Sequence, residues 1–187
     1  MRPPRPGDYV YWAALRAASR RFLEPWEPSW PEGALSKSMY RQRLRRYALE
    51  RRAGTGHAFF AFRRDDQALL GGVNLTNIQR GAAQSASIGY WIGEAYARQG
   101  YMTEAVICVV GFAFGQLQLQ RLEAACLSDN AASRRLLERC GFRHEGEARK
   151  YLQINGVRRD HLIYALLRED WRAAGAPTPA TLRETVA

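Results

Sequence analysis

Arg98-Gln-Gly-Tyr-Met-Thr-Glu104 stands between a stretch of strand character, Ser85 to Gly93, and an apolar helical stretch from about Met102 to Gln116. A strand, a short loop with a glycine and then a helix put unpaired backbone N–H groups and the positive end of a helix dipole where an anion can sit. Gly100 lets a phosphate come close to the chain. One glycine ahead of a helix also suits an ordinary connection, so the reading needs support from a second stretch. Leu127-Ser-Asp-Asn-Ala-Ala-Ser-Arg-Arg-Leu-Leu-Glu-Arg-Cys-Gly-Phe142 supplies it: the strand Arg121 to Leu127 runs into Asn130, a helix follows from about Ala131 to Arg139, and Gly141 closes it. Taken alone, Asn130 is an N-cap and Ser133 a neutral first-turn residue. Taken together, two strand-to-helix junctions whose helix starts face one cleft between parallel strands describe a seat for one long ligand, its pyrophosphate at the first junction and its middle at the second.

Upstream, Tyr9 to Phe22 has apolar residues at helical spacing behind Asp8 as N-cap, which predicts a first helix. Leu23-Glu-Pro-Trp-Glu-Pro-Ser-Trp-Pro31 excludes regular structure through its prolines, while its tryptophans offer large rigid surfaces for packing. Ser36 or Ser38 caps a helix from Met39 to Arg52, and Gly54 and Gly56 end it. Strands are expected at His57–Arg63, Leu69–Thr76 and Ser85–Gly93. The turn residues Arg64-Asp-Asp-Gln67 and Gly81-Ala-Ala83 make these an antiparallel meander. Closing strands at Gly146–Gln153 and Asp160–Leu167 meet at Asn155-Gly156, a hairpin signal, and the chain after Trp171 reads as frayed. The fold class is therefore mixed α+β.

A length of 187 residues suits one compact domain, expected over residues 1–171 with a flexible tail over 172–187. Apolar residues at 47% and charged residues at 25% exclude a disordered or fibrous chain. The formal charge of +10 attracts anions of many kinds, from phosphate-bearing cofactors to RNA, and selects none of them. Cys108, Cys126 and Cys140, odd in number and set in apolar surroundings, read as reduced core thiols. The start has no signal-peptide pattern and the longest uncharged apolar run, Ala105 to Gly115, is too short to span a bilayer, so a cytoplasmic protein without membrane contact is expected. His57, His144 and His161 sit in unrelated contexts, with no metal-ligand spacing and no clustered cysteines, so no metal is expected. There is no phosphate-binding Gly-x-x-x-x-Gly-Lys loop and no early Gly-x-Gly-x-x-Gly, which disfavours nucleotide hydrolysis and dinucleotide redox chemistry.

Tyr96-Ala-Arg-Gln-Gly-Tyr-Met-Thr-Glu-Ala105 together with Asn130-Ala-Ala-Ser-Arg-Arg-Leu-Leu-Glu-Arg-Cys-Gly-Phe142 resembles the Gcn5-related N-acetyltransferases (GNAT), and within them the RimJ-like ribosomal-protein-alanine N-acetyltransferases. Phe22-Leu-Glu-Pro-Trp-Glu-Pro28, Asn74-Leu-Thr-Asn-Ile-Gln-Arg-Gly81, Ile88-Gly-Tyr-Trp-Ile-Gly93 and Tyr151-Leu-Gln-Ile-Asn-Gly-Val-Arg-Arg-Asp-His161 extend the resemblance over about residues 8 to 171. It implies the GNAT fold: a twisted mixed sheet of about six to seven strands, splayed in the middle and flanked by about four helices. The superfamily's phosphate motif, Gln or Arg, two variable residues, Gly, one variable, then Gly or Ala, meets Ala97-Arg-Gln-Gly-Tyr-Met102 here. Its first and last positions differ, but the backbone amides that bind are indifferent to side-chain identity. The family also begins with a strand ahead of Pro3-Pro-Arg-Pro-Gly-Asp8, so the first strand is expected to be shortened or missing.

The resemblance further implies acetyl-CoA as co-substrate. Arg98, Gln99, Gly100, Tyr101, Met102 and Thr103 would hold its pyrophosphate, Trp91, Ile92 and Gly93 would present unpaired amides to the pantetheine arm and thioester oxygen, and Asn130 would bond the pantetheine. Ser133 would be the acid for the departing thiolate, and Glu24 or Glu27 the base, against an equal reading of both as solvated loop carboxylates. The implied acceptor is the N-terminal alanine of a ribosomal protein. Two other readings stay open: a small amine or antibiotic as acceptor, and an RNA- or ribosome-binding protein that docks through Arg41, Arg43, Arg45, Arg46, Arg51 and Arg52.

Overall fold

The computed structural model describes residues 1–175. Helices α1 (Tyr9–Ala18), α2 (Arg20–Leu23) and α3 (Lys37–Ala53) precede strands β1 (His57–Phe62), β2 (Leu69–Gln79) and β3 (Ser85–Ile92). Then come α4 (Tyr101–Gly115), β4 (Arg121–Leu127), α5 (Ala131–Arg139), β5 (Arg143–Ile154), β6 (Val157–Leu167) and α6 (Arg168–Ala173). They build one six-stranded sheet in the order β1-β2-β3-β4-β6-β5. The meander and the closing hairpin are antiparallel, and β3 and β4 alone run parallel. That single parallel pair is bridged by α4, as a parallel crossover requires.

The β3–β4 register holds only from Ser85↔Arg121 to Ser87↔Glu123, after which the strands part. One sheet face is sealed by α4 and α5, where Val106, Val109, Val110 and Ala113 of α4 meet Val73, Leu75, Ile88, Leu122 and Cys126 of the strands. The other face carries α1 and α3, with Trp12, Tyr40, Phe60 and Leu69 as a smaller core.

The expected first helix is broken in two. Ser19 leaves helical geometry and its buried hydroxyl accepts the amide of Glu94 at 2.9 Å, fastening the joint between α1 and α2 to the turn after β3. The Pro-Trp loop, expected to be irregular throughout, opens with one 3-10 turn, Glu24–Trp26. Ser36, not Ser38, caps α3, accepting from the Met39 amide. The strands β5 and β6 are longer than their apolar cores suggested, because their outer halves are exposed hairpin in which alternation has no face to mark. Asn155 and Gly156 turn that hairpin with φ of 47° and 80°. The chain continues past Trp171 as α6 rather than fraying there. The rest of the expected flexible tail, residues 176–187, lies outside the described residues. In place of a first strand, Arg2 forms one antiparallel bridge with Phe60.

Two glycines make the β2–β3 pairing possible. A Cβ on Gly71 would collide with the carbonyl oxygen of Trp91 and the Cα of Ile92, both rigid backbone. A Cβ on Gly72 would lie 2.8 Å from the Trp91 indole nitrogen. Gly89, by contrast, has open space where a Cβ would stand. Gly71→Ala is expected to lower unfolding free energy by about 2 kcal/mol through forced displacement of β3, while Gly89→Ala changes it by less than about 0.5 kcal/mol. Urea denaturation of both variants checks this.

Candidate active site

The parting of β3 and β4 opens a gap in the middle of the sheet. Hydrogen-bonded pairs alternate along an antiparallel ladder. Gly93 donates to the Leu70 carbonyl at 2.8 Å, so Trp91 is bonded to Gly72 in the same direction. The residues between, Tyr90 and Ile92, turn their N–H groups toward the gap, beyond the last β3–β4 pair. Of the three positions expected to offer free amides, Ile92 therefore does, whereas Trp91 and Gly93 are committed to β2. The reason is strand alternation, which a three-residue window cannot satisfy. Sequence reasoning overlooked the Tyr90 amide.

At the mouth of the gap the chain turns through Glu94–Tyr96 into the start of α4. Arg98 has φ of 61° and Gly100 φ of 86°, two left-handed positions around Gln99 that curl the backbone into a concavity. The first helical bond of α4 runs from the Glu104 amide to the Gly100 carbonyl, and the amides of Arg98, Gln99, Gly100, Tyr101, Met102 and Thr103 donate to no protein acceptor. The sequence places its expected anion cradle at this concavity. Its side chains play a smaller part: Gln99 turns back to the Ala95 carbonyl at 2.9 Å, and Met102 is buried beneath Gly71. The role of Gly100 is its positive φ.

On the helical face, Asn130 caps α5, its Oδ1 accepting the Ser133 amide at 3.0 Å. The capping reading thus holds for its oxygen, and its Nδ2 has no protein partner. The Ser133 hydroxyl lies 2.7 Å from the phenol of Tyr90, which spans the gap from β3. Burial drives the Tyr90 phenol well above its ordinary pKa, with the Ser133 hydrogen bond acting the other way. A neutral phenol that gives its proton to Ser133 leaves the serine O–H free to point at an incoming anion. Tyr90 carried no signal in the sequence, because an aromatic in a strand reads as core.

On the opposite face, Arg16 of α1 is 9% exposed and makes a two-pronged ion pair with Glu27, Nη1–Oε1 2.8 Å and Nη2–Oε2 2.6 Å. The Trp30 indole also donates to Glu27 Oε2, at 2.9 Å. The Arg16 guanidinium lies over the rings of Trp30 and Trp91, 4.3 and 4.9 Å from their centroids. Both expected base candidates are thus engaged, Glu27 in this half-buried clasp and Glu24 in a surface pair with Arg20 at 2.6 Å. The Glu24 carbonyl accepts Asn155 Nδ2 at 2.7 Å, so the β5–β6 hairpin tip touches the Pro-Trp loop. Among the described residues, no group of three or more His, Cys, Asp or Glu side chains is placed to hold a metal ion.

A crossover sheet split at one parallel pair, with a helix-start anion cradle at its mouth, is the acyl-CoA architecture of N-acetyltransferases. The acetyltransferase (GNAT) domain family matches residues 1–143, and the chain belongs to it. It is 38% identical over 156 residues to YjcK of Bacillus subtilis, named a probable N-acetyltransferase, covering 83% of this chain and 86% of that protein. It is 34% identical over 155 residues to the [ribosomal protein uS5]-alanine N-acetyltransferase of Escherichia coli, covering 83% and 80%. Among solved structures, Mycobacterium smegmatis RimJ in complex with CoA-disulfide superposes with a TM-score of 0.84 at 30% identity, over 95% of this chain and 89% of that one.

The Arg16–Glu27 clasp sets up a test of what Glu27 does. Glu27→Gln leaves a half-buried guanidinium without its counter-charge and is expected to destabilise the fold by about 2 kcal/mol, whereas Glu24→Gln, in an exposed pair, costs under about 0.5 kcal/mol. Thermal and urea unfolding of the two variants read the difference.

Proposed function

We propose that this enzyme is a single N-acetyltransferase domain over residues 1–171. It moves the acetyl group of acetyl-CoA to the N-terminal amine of a protein, an alanine of a ribosomal protein in the cytoplasm. The observation that carries the reading is two sets of amides unpartnered among the described residues, Tyr90 and Ile92 in the gap and Arg98–Thr103 at the α4 start. Two such sets suit a ligand that is amide-like in its middle and doubly anionic at its end, as the pantetheine and pyrophosphate of CoA are. The acceptor follows from the relatives' names and from the resemblance of the whole chain to them.

Acetyl-CoA, when bound, supplies an activated acyl thioester. The α4 amides and helix dipole hold its phosphates. The Ile92 and Tyr90 amides hold the pantetheine arm and aim at the thioester oxygen, and one such fixed donor is worth about 3 kcal/mol to the developing charge. Asn130 Nδ2 is free to bond the arm from the other side. Ser133, backed by Tyr90, donates its proton to the departing thiolate. An α-amine, with pKa near 7.7 to 8.0, is roughly a quarter neutral around neutral pH, whereas a lysine side chain is neutral at about one part in a thousand. A site with modest base assistance therefore favours N-termini. The exposed guanidinium groups of α3, of which Arg46 alone is ion-paired among the described residues, add a long-range attraction to ribosomal RNA.

Thiol release from acetyl-CoA, measured with short peptides that differ at the first residue, tests the reading. Alanine-starting peptides are expected to turn over faster than a peptide offering only a lysine side chain, and an aminoglycoside is expected to be inert. Ser133→Ala is expected to lower kcat by about 100-fold and to leave the acetyl-CoA Kd within about twofold. A preference for the aminoglycoside would replace the protein acceptor with a small amine.

A further inference from the structure

The clasp on Glu27 and the surface pair of Glu24 leave the acceptor amine without an evident proton acceptor. The geometry points to His161 as the group that takes the proton from the attacking amine, an inference that rests on the N-terminal acetyltransferase reading. His161 sits on β6 opposite Leu127, the last residue of β4, and opposite Ala148 of β5. Cross-strand partners share a sheet face. Cys126 and Ala124 face Leu162 and Tyr164, and that set belongs to the core under α4 and α5. His161 and Leu127 therefore lie on the other face, that of α1 and the Pro-Trp loop, where Trp91 meets Arg16. Tyr151 of the hairpin packs edge-on to the His161 ring at 5.8 Å, and the tip of the same hairpin touches the Pro-Trp loop through Asn155.

The ring is 3% exposed, and its Nδ1 lies 2.9 Å from the Arg159 carbonyl. A carbonyl can only accept, so Nδ1 carries the proton and Nε2 the lone pair. Among the described residues, Nε2 has no partner. The buried side-chain nitrogens and oxygens left without partners, among the described residues, are Arg16 Nε and Arg168 Nε, so Nε2 keeps contact with solvent. In the step, the amine nitrogen bonds to the acetyl carbon, the carbon–sulfur bond breaks, the surplus amine proton goes to His161 Nε2, and the thiolate takes a proton from Ser133, which regains one from water. His161 then returns its proton to water. The charged and titratable groups around it are Tyr151 on β5, Arg159 and Asp160 on its own strand, and Asp129 beyond β4. Asp129 is paired with Arg159 at 3.2 Å, and Asp160 accepts the Lys150 amide at 2.6 Å.

Wild type, His161→Asn and His161→Gln are compared with an alanine-starting peptide. The measurements are kcat and peptide KM across pH, acetyl-CoA Kd by calorimetry and melting temperature, together with 15N NMR of the wild-type imidazole. Expected are a roughly 100-fold loss of kcat in both variants and KM and Kd within about twofold. The acidic limb of the kcat profile should be lost, and imidazole in the buffer should restore part of the rate. The wild-type spectrum should show a protonated Nδ1 and a bare Nε2 that shifts when peptide and CoA are added together. A variant within threefold of wild type with an unchanged pH profile overturns the proposal. So does an Nε2–H tautomer in the wild type, a readout that does not depend on the variants folding. If wild type itself acetylates no N-terminal peptide, the functional reading fails instead, which the tautomer measurement distinguishes.

Discussion

Everything in this molecule follows from β3 and β4 being parallel and ceasing to pair after Ser87 and Glu123. A parallel pair demands a crossover, and the crossover helix α4 must begin beside the end of β3, which puts an unsatisfied helix start at the mouth of the gap. The gap leaves strand amides unbonded inside a sheet, a condition that costs free energy unless some other group accepts from them. Evolution tolerates such a fault where a ligand supplies the missing acceptors. The contact between Tyr90 and Ser133 joins β3 to α5 across the gap on one face, while on the other Trp91 packs over Gly72 and Phe60 beneath Arg16.

Arg16 governs the second face. Its guanidinium lies over two indoles and is paired on both prongs with Glu27, so the Pro-Trp loop is tied to α1 and α1 to β3. The Leu15 side chain lies where a Cβ on Gly93 would stand, and the Ser19 hydroxyl takes the Glu94 amide, so α1 is set over the end of β3 by three adjoining contacts. A loop rich in proline has little conformational entropy to lose, and fixing it needs only a few strong contacts. The loop is thereby a rigid wall, and its carboxylates serve the wall.

The meander, both strand-to-helix junctions and the two helix boundaries at Ala131 and Arg139 were legible because each rests on local chemistry: turn residues, caps and apolar period. The turn of the backbone into α4 was legible for the same reason, since one glycine and one helix start determine its course. What sequence hid was long-range. Glu27 in a loop looks solvated until Arg16, eleven residues upstream, is found folded onto it. Tyr90 carried no site signal because nothing local records that it bridges a gap, and His161 was weighed only as a metal ligand. The three-residue amide window at Trp91–Gly93 failed on alternation, which allows only every second residue to face the gap. The break at Ser19 was invisible because its cause, the Glu94 amide, lies far away in sequence.

Ser133 and His161, the proposed acid and the inferred base, sit on opposite faces of the strand that ends at Leu127. Ser133 reaches the gap from the α5 side, with Cys126 beneath it, while His161 flanks Leu127 from the α1 side. The pleat of β4 thus separates donor and acceptor, so neither group can neutralise the other directly before substrate arrives. In the proposed transfer the amine enters and the thiolate leaves at different positions on the acyl carbon, so an acid beside the sulfur and a base beside the nitrogen do separate work. A splayed sheet meets that need without any special loop, because alternate residues of one strand already point to its two sides. Closing the split would unite the faces and remove both the unbonded amides and the separation, which is why the fold keeps a fault at its centre.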